Sequence, residues 1–208
     1  MQDAYYSPYY SPLVVQTAVD LANTLMPIKG EDALETVEQL QDFLDGHPAA
    51  APPSSSSAAS QGPGSEPGPE SGPGHLTRED LAEVRAVRET VREVLERANA
   101  DPAEAAALIN DGLRRSRATP VLRHEDGRWW TEVTSDTDRR SAHLAATTLS
   151  ALASVIATLG PARLGVCAGP TCRATYVDLS RNGSKQYCTR TCAHRASVAA
   201  YRSRRSSR

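Results

Sequence analysis

All four cysteines of this 208-residue chain stand together near its C-terminus, as C-x4-C (Cys167, Cys172), fifteen residues, then C-x3-C (Cys188, Cys192). No other feature limits the fold as sharply. Zinc takes a tetrahedral set of soft thiolates, and two short cysteine pairs separated by a hairpin's length supply one. Gly169-Pro170 lets the chain fold back between the first pair. Arg173 to Leu179 reads as a strand, Asn182-Gly183 as a turn, and Lys185 to Cys188 as a returning strand. Cys188 and Cys192 are four apart, so at the start of a helix they share a face. A knuckle, a hairpin and a helix start make a treble-clef-like arrangement. Two disulfides or unrelated thiols are the alternatives. Four thiolates close the coordination shell, which makes the metal structural and leaves no open position for catalysis.

Charge divides along the chain. Residues 1–75 hold one Lys, no Arg and ten acids, whereas residues 161–208 hold ten Lys/Arg and one acid, Asp178. A basic tail on an acidic protein is the footprint of nucleic-acid contact. Arg195, Tyr201, Arg202, Arg204 and Arg205 follow the last cysteine, and Ala196, Val198, Ala199 and Ala200 keep that helix slim enough for a major groove. Arg181 and Lys185 at the hairpin tip are candidates to hold phosphates, and His194 is either a phosphate or base contact or plain surface. The bland alternative is a solvated basic tail on a structural zinc module.

The rest reads as helix. With one Phe, the core must be built mainly of Leu, Val and Ala. A Tyr/Pro arm, YYSP-YYSP, occupies residues 1–12. Residues 13–26 set Val14, Ala18, Leu21 and Leu25 on one helical face. A second helix, Gly30 to Asp45, turns Leu34, Val37, Leu40, Phe43 and Leu44 inward. Residues 48–74, rich in Pro, Gly, Ser and Ala, are expected to be a disordered insertion within one helical domain spanning 13–160. Thr77 with Asp80 reads as a near capping box opening a third helix, with Glu and Arg on its solvated face. Asp101-Pro102 opens a fourth. Residues 120–134 read as a hairpin turning at Asp126-Gly127, with Trp129 and Trp130 on opposite faces. Of these two, one is expected to cap the core, and the other to be a half-exposed packing residue or part of a pocket or interface. A final helix spans Asp138 to Leu159, and the finger occupies 161–208. The fold class is therefore mainly α with a small β-hairpin: a helical N-terminal domain and a C-terminal treble-clef-like zinc finger.

No secretory signal and no unbroken apolar run of spanning length is read, Ala142 to Leu159 being interrupted by Ser and Thr. The expectation is a cytoplasmic, nucleoid-associated protein with reduced thiols and no membrane partner. G-x-S-x-G, phosphate-loop and H-E-x-x-H motifs are missing, so no enzyme is expected.

These residues also carry a resemblance. The Cys pair, Asp178-Leu179-Ser180-Arg181-Asn182, Tyr187-Cys188 and the box Cys192-Ala193-His194-Arg195 resemble the CGNR-type zinc finger of bacterial proteins, whose Gly and Asn are replaced here by Ala193 and His194. Val19 to Leu25, with Asn23-Thr24, and the Trp hairpin resemble the ABATE domain of stress-induced transcription regulators. The resemblance implies a regulator that binds double-stranded DNA and takes a small-molecule effector in its helical domain. One small finger gives limited base contact, so a homodimer is expected to be needed for tight binding. The alternative function is a zinc-stabilised protein- or RNA-interaction module with no sequence-specific DNA binding.

Overall fold

Thr77 starts the longest amphipathic stretch, and its hydroxyl accepts the Asp80 N–H at 3.2 Å while Asp80 accepts the Thr77 N–H at 2.8 Å. This reciprocal cap satisfies two otherwise orphaned donors and fixes the helix start. The structure, a computed structural model, describes residues 11–26, 28–48, 76–125 and 127–206. The expected arm at 1–12 and insertion at 48–74 lie, but for Ser11, Pro12 and Pro48, outside the described residues.

The elements run α1 (Pro12–Asn23), β1 (Leu25–Met26), β2 (Glu31–Asp32), α2 (Val37–Gly46), α3 (Arg78–Arg97), α4 (Pro102–Arg115), β3 (Ala118–Glu125), β4 (Arg128–Ser135), α5 (Arg140–Leu159), β5 (Leu164–Val166), β6 (Thr175–Val177) and α6 (Arg190–Ser206). The fold is mainly helical, with three antiparallel strand pairs among the described residues: β1 with β2, β3 with β4, β5 with β6.

Several boundaries differ from expectation. α1 begins at Pro12, inside the expected arm, because Pro suits a first helical turn. It ends at Asn23, and Leu25-Met26 pair with Glu31-Asp32 instead of extending it. That pairing removes Gly30 to Asp32 from the second helix, which starts only at the Thr36 cap. The buried face of α1 centres on Val15, Ala18, Leu21 and Ala22, with Val14 only half-buried. Asp101 caps α4 by accepting the Glu104 N–H at 3.1 Å, as its spacing indicated. Trp129 is 66% exposed and stacks on His124 at 4.3 Å; Trp130, on the other face, is half-buried.

α5 is the central helix, packed against α1, α3, α4 and the β3–β4 hairpin. By length and composition it could cross a membrane, despite its hydroxyls, but Leu144, Leu149, Leu152 and Val155 are buried in the core here. Thr147, Thr148 and Ser150 each donate to a carbonyl of the preceding turn, so their hydroxyls enter the packing already satisfied, and the exposed Thr158 bonds in the same way. α4 comes close: a Cβ on Gly112 would run into Leu149 Cδ1. The core continues past α5, since Leu164 and Val177 belong to the same hydrophobic cluster as the helices.

The Glu/Arg face of α3 is not simply solvated. Arg88 and Arg92 are only 4% and 6% exposed, and they reach across the fold. Arg88 Nη1 donates to Asp32 at 2.6 Å and closes the β1–β2 turn onto α3. Arg92 Nη1 donates to Ala22 O and Leu25 O, satisfying carbonyls at the end of α1.

Candidate metal centre and basic helix

The knuckle forms because β5 and β6 pair on either side of it. Cys167 N donates to Ala174 O at 2.9 Å, which continues the ladder by one step, and Cys172 N donates back to Gly169 O at 3.1 Å. The hairpin of the finger is thus β5–β6, with the first cysteine pair in its loop. The segment Lys185 to Cys188, expected as the returning strand, is not a strand. Leu164-Gly165-Val166 fills that place because it follows the core directly and Gly165 lets Tyr176 lie close, with the Tyr176 oxygen 3.0 Å from where a Cβ would be. Lys185 to Cys188 instead crosses the knuckle, and Gln186 O accepts the Ala168 N–H at 2.9 Å.

The helix begins two residues later than expected. Thr189 Oγ1 accepts the Cys192 N–H at 3.2 Å, so Cys188 precedes α6 and Cys192 lies in its first turn. The four sulfurs all fall within 4.8 Å of one another, with Cys172–Cys188 at 3.6 Å and Cys188–Cys192 at 3.7 Å. A tetrahedral Zn–S distance of about 2.3 Å requires sulfur separations of about 3.8 Å, so the donor set fits. Cys167 is buried, which opposes ionisation, but N–H donors from Cys188 and Gly169 outweigh this and hold its thiol below the ordinary value. Burial and the neighbouring thiols push Cys188 up, and burial also pushes Cys172 up. Uncompensated, such a cluster resists full ionisation; a divalent cation at its centre reverses that.

Asp178, the lone acid of the finger, is 2% exposed. It accepts the N–H groups of Ser180 at 2.9 Å and Lys185 at 2.8 Å and so shapes the tip loop. Burial raises its pKa, but these donors outweigh it and leave the carboxyl below its usual range. Gly183 takes φ of +59°, as the Asn-Gly turn requires. The guanidinium of Arg163 lies against Gly183 and donates to Asp178 O at 3.1 Å.

The expected DNA-contacting residues separate into two groups. Arg181 is exposed at the tip loop. Lys185 Nζ folds back, donating to Val177 O at 3.2 Å and lying 5.3 Å from the Tyr176 ring centre. His194, Arg195, Tyr201, Arg202, Arg204 and Arg205 are all exposed along α6. At 3.6 residues per turn, Arg195 and Arg202 share a stripe and Arg205 lies beside it, while Arg204 sits on the far side.

A clamp that sequence reading did not single out joins the finger to the helices. The Asn23 side chain accepts the Thr175 N–H at 2.8 Å and the Thr175 hydroxyl at 3.1 Å, and it donates to Thr175 O at 3.0 Å. Arg92 Nη2 donates to Arg173 O at 3.0 Å. Asn23-Thr24 was visible only as part of a family resemblance, and Arg92 reads from the sequence as part of the solvated Glu/Arg face of its helix.

The family model for ABATE, "Putative stress-induced transcription regulator", matches residues 16–159. The chain belongs to the ABATE family. The CGNR zinc finger model matches residues 163–205, immediately after the ABATE region. No curated protein matches the chain. The ABATE region ends with α5, and the cofactor of the CGNR finger is one zinc ion, which the four close cysteines are able to bind. The chain is a zinc-binding regulator.

Proposed function

We propose that this protein is a zinc-dependent transcription regulator that binds double-stranded DNA through α6, with Cys167, Cys172, Cys188 and Cys192 as the zinc ligands. The observation that carries the reading is the continuous helix Arg190–Ser206, rooted at Cys192 and exposing Arg195, Arg202 and Arg205 on neighbouring stripes. The zinc fixes the root of the helix, and the Asn23 and Arg92 clamp fixes the finger to the ABATE domain. A helix so aimed presents arginines to a groove, where phosphate contacts set register and one or two guanidinium groups read guanine edges. Arg181 serves as a phosphate contact at the tip loop, and Arg204 as a backbone contact away from the reading stripe. The helical domain, residues 13–160, sets DNA affinity by binding an effector or by pairing two chains, and the finger is residues 161–208.

Fluorescence anisotropy of the zinc-loaded chain with genomic fragments tests this. Duplex affinity should fall steeply with salt, with a log–log slope near −0.9 per neutralised phosphate. Arg202→Ala with Arg205→Ala should weaken binding and flatten that slope by about 2. Equal affinity for duplex DNA, RNA and heparin, with no preferred sequence, would overturn it in favour of a protein- or RNA-interaction module.

A further inference from the structure

A cavity of about 470 Å3 lies between α1 and the finger. That is the size of a small-ligand site. One wall is made by Val15 and Val19 of α1 with Leu25 and Ile28 beyond it; the other is the finger strand from Arg173 to Val177 and Leu179. The walls are apolar, but the charged residues lining them are unbalanced. Lys29, Arg173, Lys185 and Arg195 line it with one acid, Asp20, and with Cys172, Cys188 and Cys192 of the metal shell, whose four thiolates around one Zn2+ carry a formal charge of about −2, so a positive excess remains. Asp20 is engaged already, by Gln16 Nε2 at 2.8 Å and His47 Nε2 at 3.2 Å. Lys29 lies 3.7 Å from Glu31 and Lys185 is held by Val177 O. Arg173 and Arg195 have no carboxylate in ion-pair range among the described residues.

We infer that this seam binds a small organic anion with an apolar body, and that the bound anion weakens DNA binding. The inference rests on the regulator reading, whose effector it places. A carboxylate or sulfonate suits Arg173 and Arg195, which match it in the bidentate manner guanidinium groups favour. The apolar body covers Val19, Leu25 and Ile28. A neutral ligand of the same shape would cover the two guanidinium groups without pairing them, which costs free energy. An inorganic anion would leave the apolar walls uncovered. The two walls belong to the two parts joined by the Asn23–Thr175 and Arg92–Arg173 contacts. A ligand touching both favours the docked arrangement, because only there are both contacts made. Arg195 sits on the shared boundary, lining the cavity and standing on the arginine stripe of α6. Engaged by the anion, it is withdrawn from a phosphate.

The test uses the full zinc-loaded chain and calorimetry with 2-naphthoate, decanoate and the neutral 2-naphthamide. At least one anion should saturate at one per chain below about 1 mM, and naphthamide should bind about tenfold more weakly than naphthoate, or about 1.4 kcal/mol. Arg173→Gln and Arg195→Gln should each weaken the anion by a similar factor with zinc content and melting unchanged. The Thr175 amide, donated to Asn23, should exchange more slowly when the anion is bound. The same anion should lower duplex affinity in the anisotropy experiment. Failure of both anions to saturate, equal binding of naphthamide, or parent-like binding by both variants would overturn the site. Binding only by a chain lacking residues 1–10 would do the same, assigning the cavity to the chain's own N-terminus. Anion binding that leaves duplex affinity unchanged would overturn the regulatory half. If the parent chain binds no DNA, the regulator reading fails alone, and the calorimetry still decides the cavity.

Discussion

The amide of Asn23 meets Thr175 at three points, at 2.8, 3.0 and 3.1 Å, and so stands where a third strand would pair with β6. Thr175 is fully buried, so its backbone groups have no water to fall back on. Leucine at this position keeps the branched four-atom side-chain skeleton of asparagine but none of its polar atoms. Asn23→Leu should therefore cost about 1–3 kcal/mol in urea unfolding, the cost of leaving a buried donor and acceptor unsatisfied. It should also speed exchange of the Thr175 amide while leaving zinc content intact, because no cysteine contact changes. An unchanged Thr175 exchange rate would show that Asn23 does not hold the finger.

At the scale of elements, the Arg88–Asp32 contact ties α3 to the β1–β2 turn. Both side chains are mostly buried, at 5% and 13% exposure. Burial raises the Asp32 pKa, but the bonds from Arg88 and Leu34 N–H, with Arg85 beyond, outweigh it and hold the carboxyl below its ordinary value. A folded-state pKa below the unfolded one means stability that is complete above the usual carboxylate range near pH 3.9 and is lost as pH falls through the lower folded value. Asp32→Ala should cost about 1.5–3 kcal/mol at pH 7, because it removes a charged hydrogen bond from the buried Arg88 guanidinium and leaves Glu89, at 3.0 Å, as its remaining carboxylate. Urea titrations at pH 7 and pH 3 should show the gap between variant and parent narrowing at the lower pH; a gap independent of pH would remove the ion pair from the account. The same contact shows where sequence reading stops. Thr77 with Asp80, Asp101 at the start of α4, and the hairpin turn at Gly127 act within a few residues, and these caps and this turn were legible. Arg88 and Asp32 are fifty-six apart, and nothing local tells a buried arginine from a solvated one. The finger repeats the lesson. Its cysteines announced themselves by spacing. Its first strand did not, because Leu164-Gly165-Val166 is too short to show alternation and only β6 and the core define it.

For the whole molecule, the finger is not an appendage to a finished core. Leu164 and Val177 are 1% and 7% exposed within the cluster that includes Leu21, Val91 and Leu152. β5 and β6 also carry the first cysteine pair in their loop, so the zinc shell and the core share a hairpin. Metal binding in such a site is folding free energy. Were the finger independent, stripping zinc would abolish its transition and leave the helices melting as before. The shared hairpin requires otherwise: without thiolate–metal bonds the loop from Cys167 to Cys172 is no longer held, β5 and β6 lose their closure, and two apolar anchors leave the core. Removing zinc with a chelator under reducing conditions should lower the melting temperature of the helical signal by several degrees, on the scale of about 2–4 °C per kcal/mol for a chain of this size. Cys172→Ser should do the same without chelator. Calorimetry would show the coupling as one transition that moves when zinc is removed; two transitions, with the helical one fixed, would mean that the core closes without β5 and β6. Because α6 is rooted at Cys192 in the same four-cysteine cluster, any duplex binding should disappear together with the shifted melt.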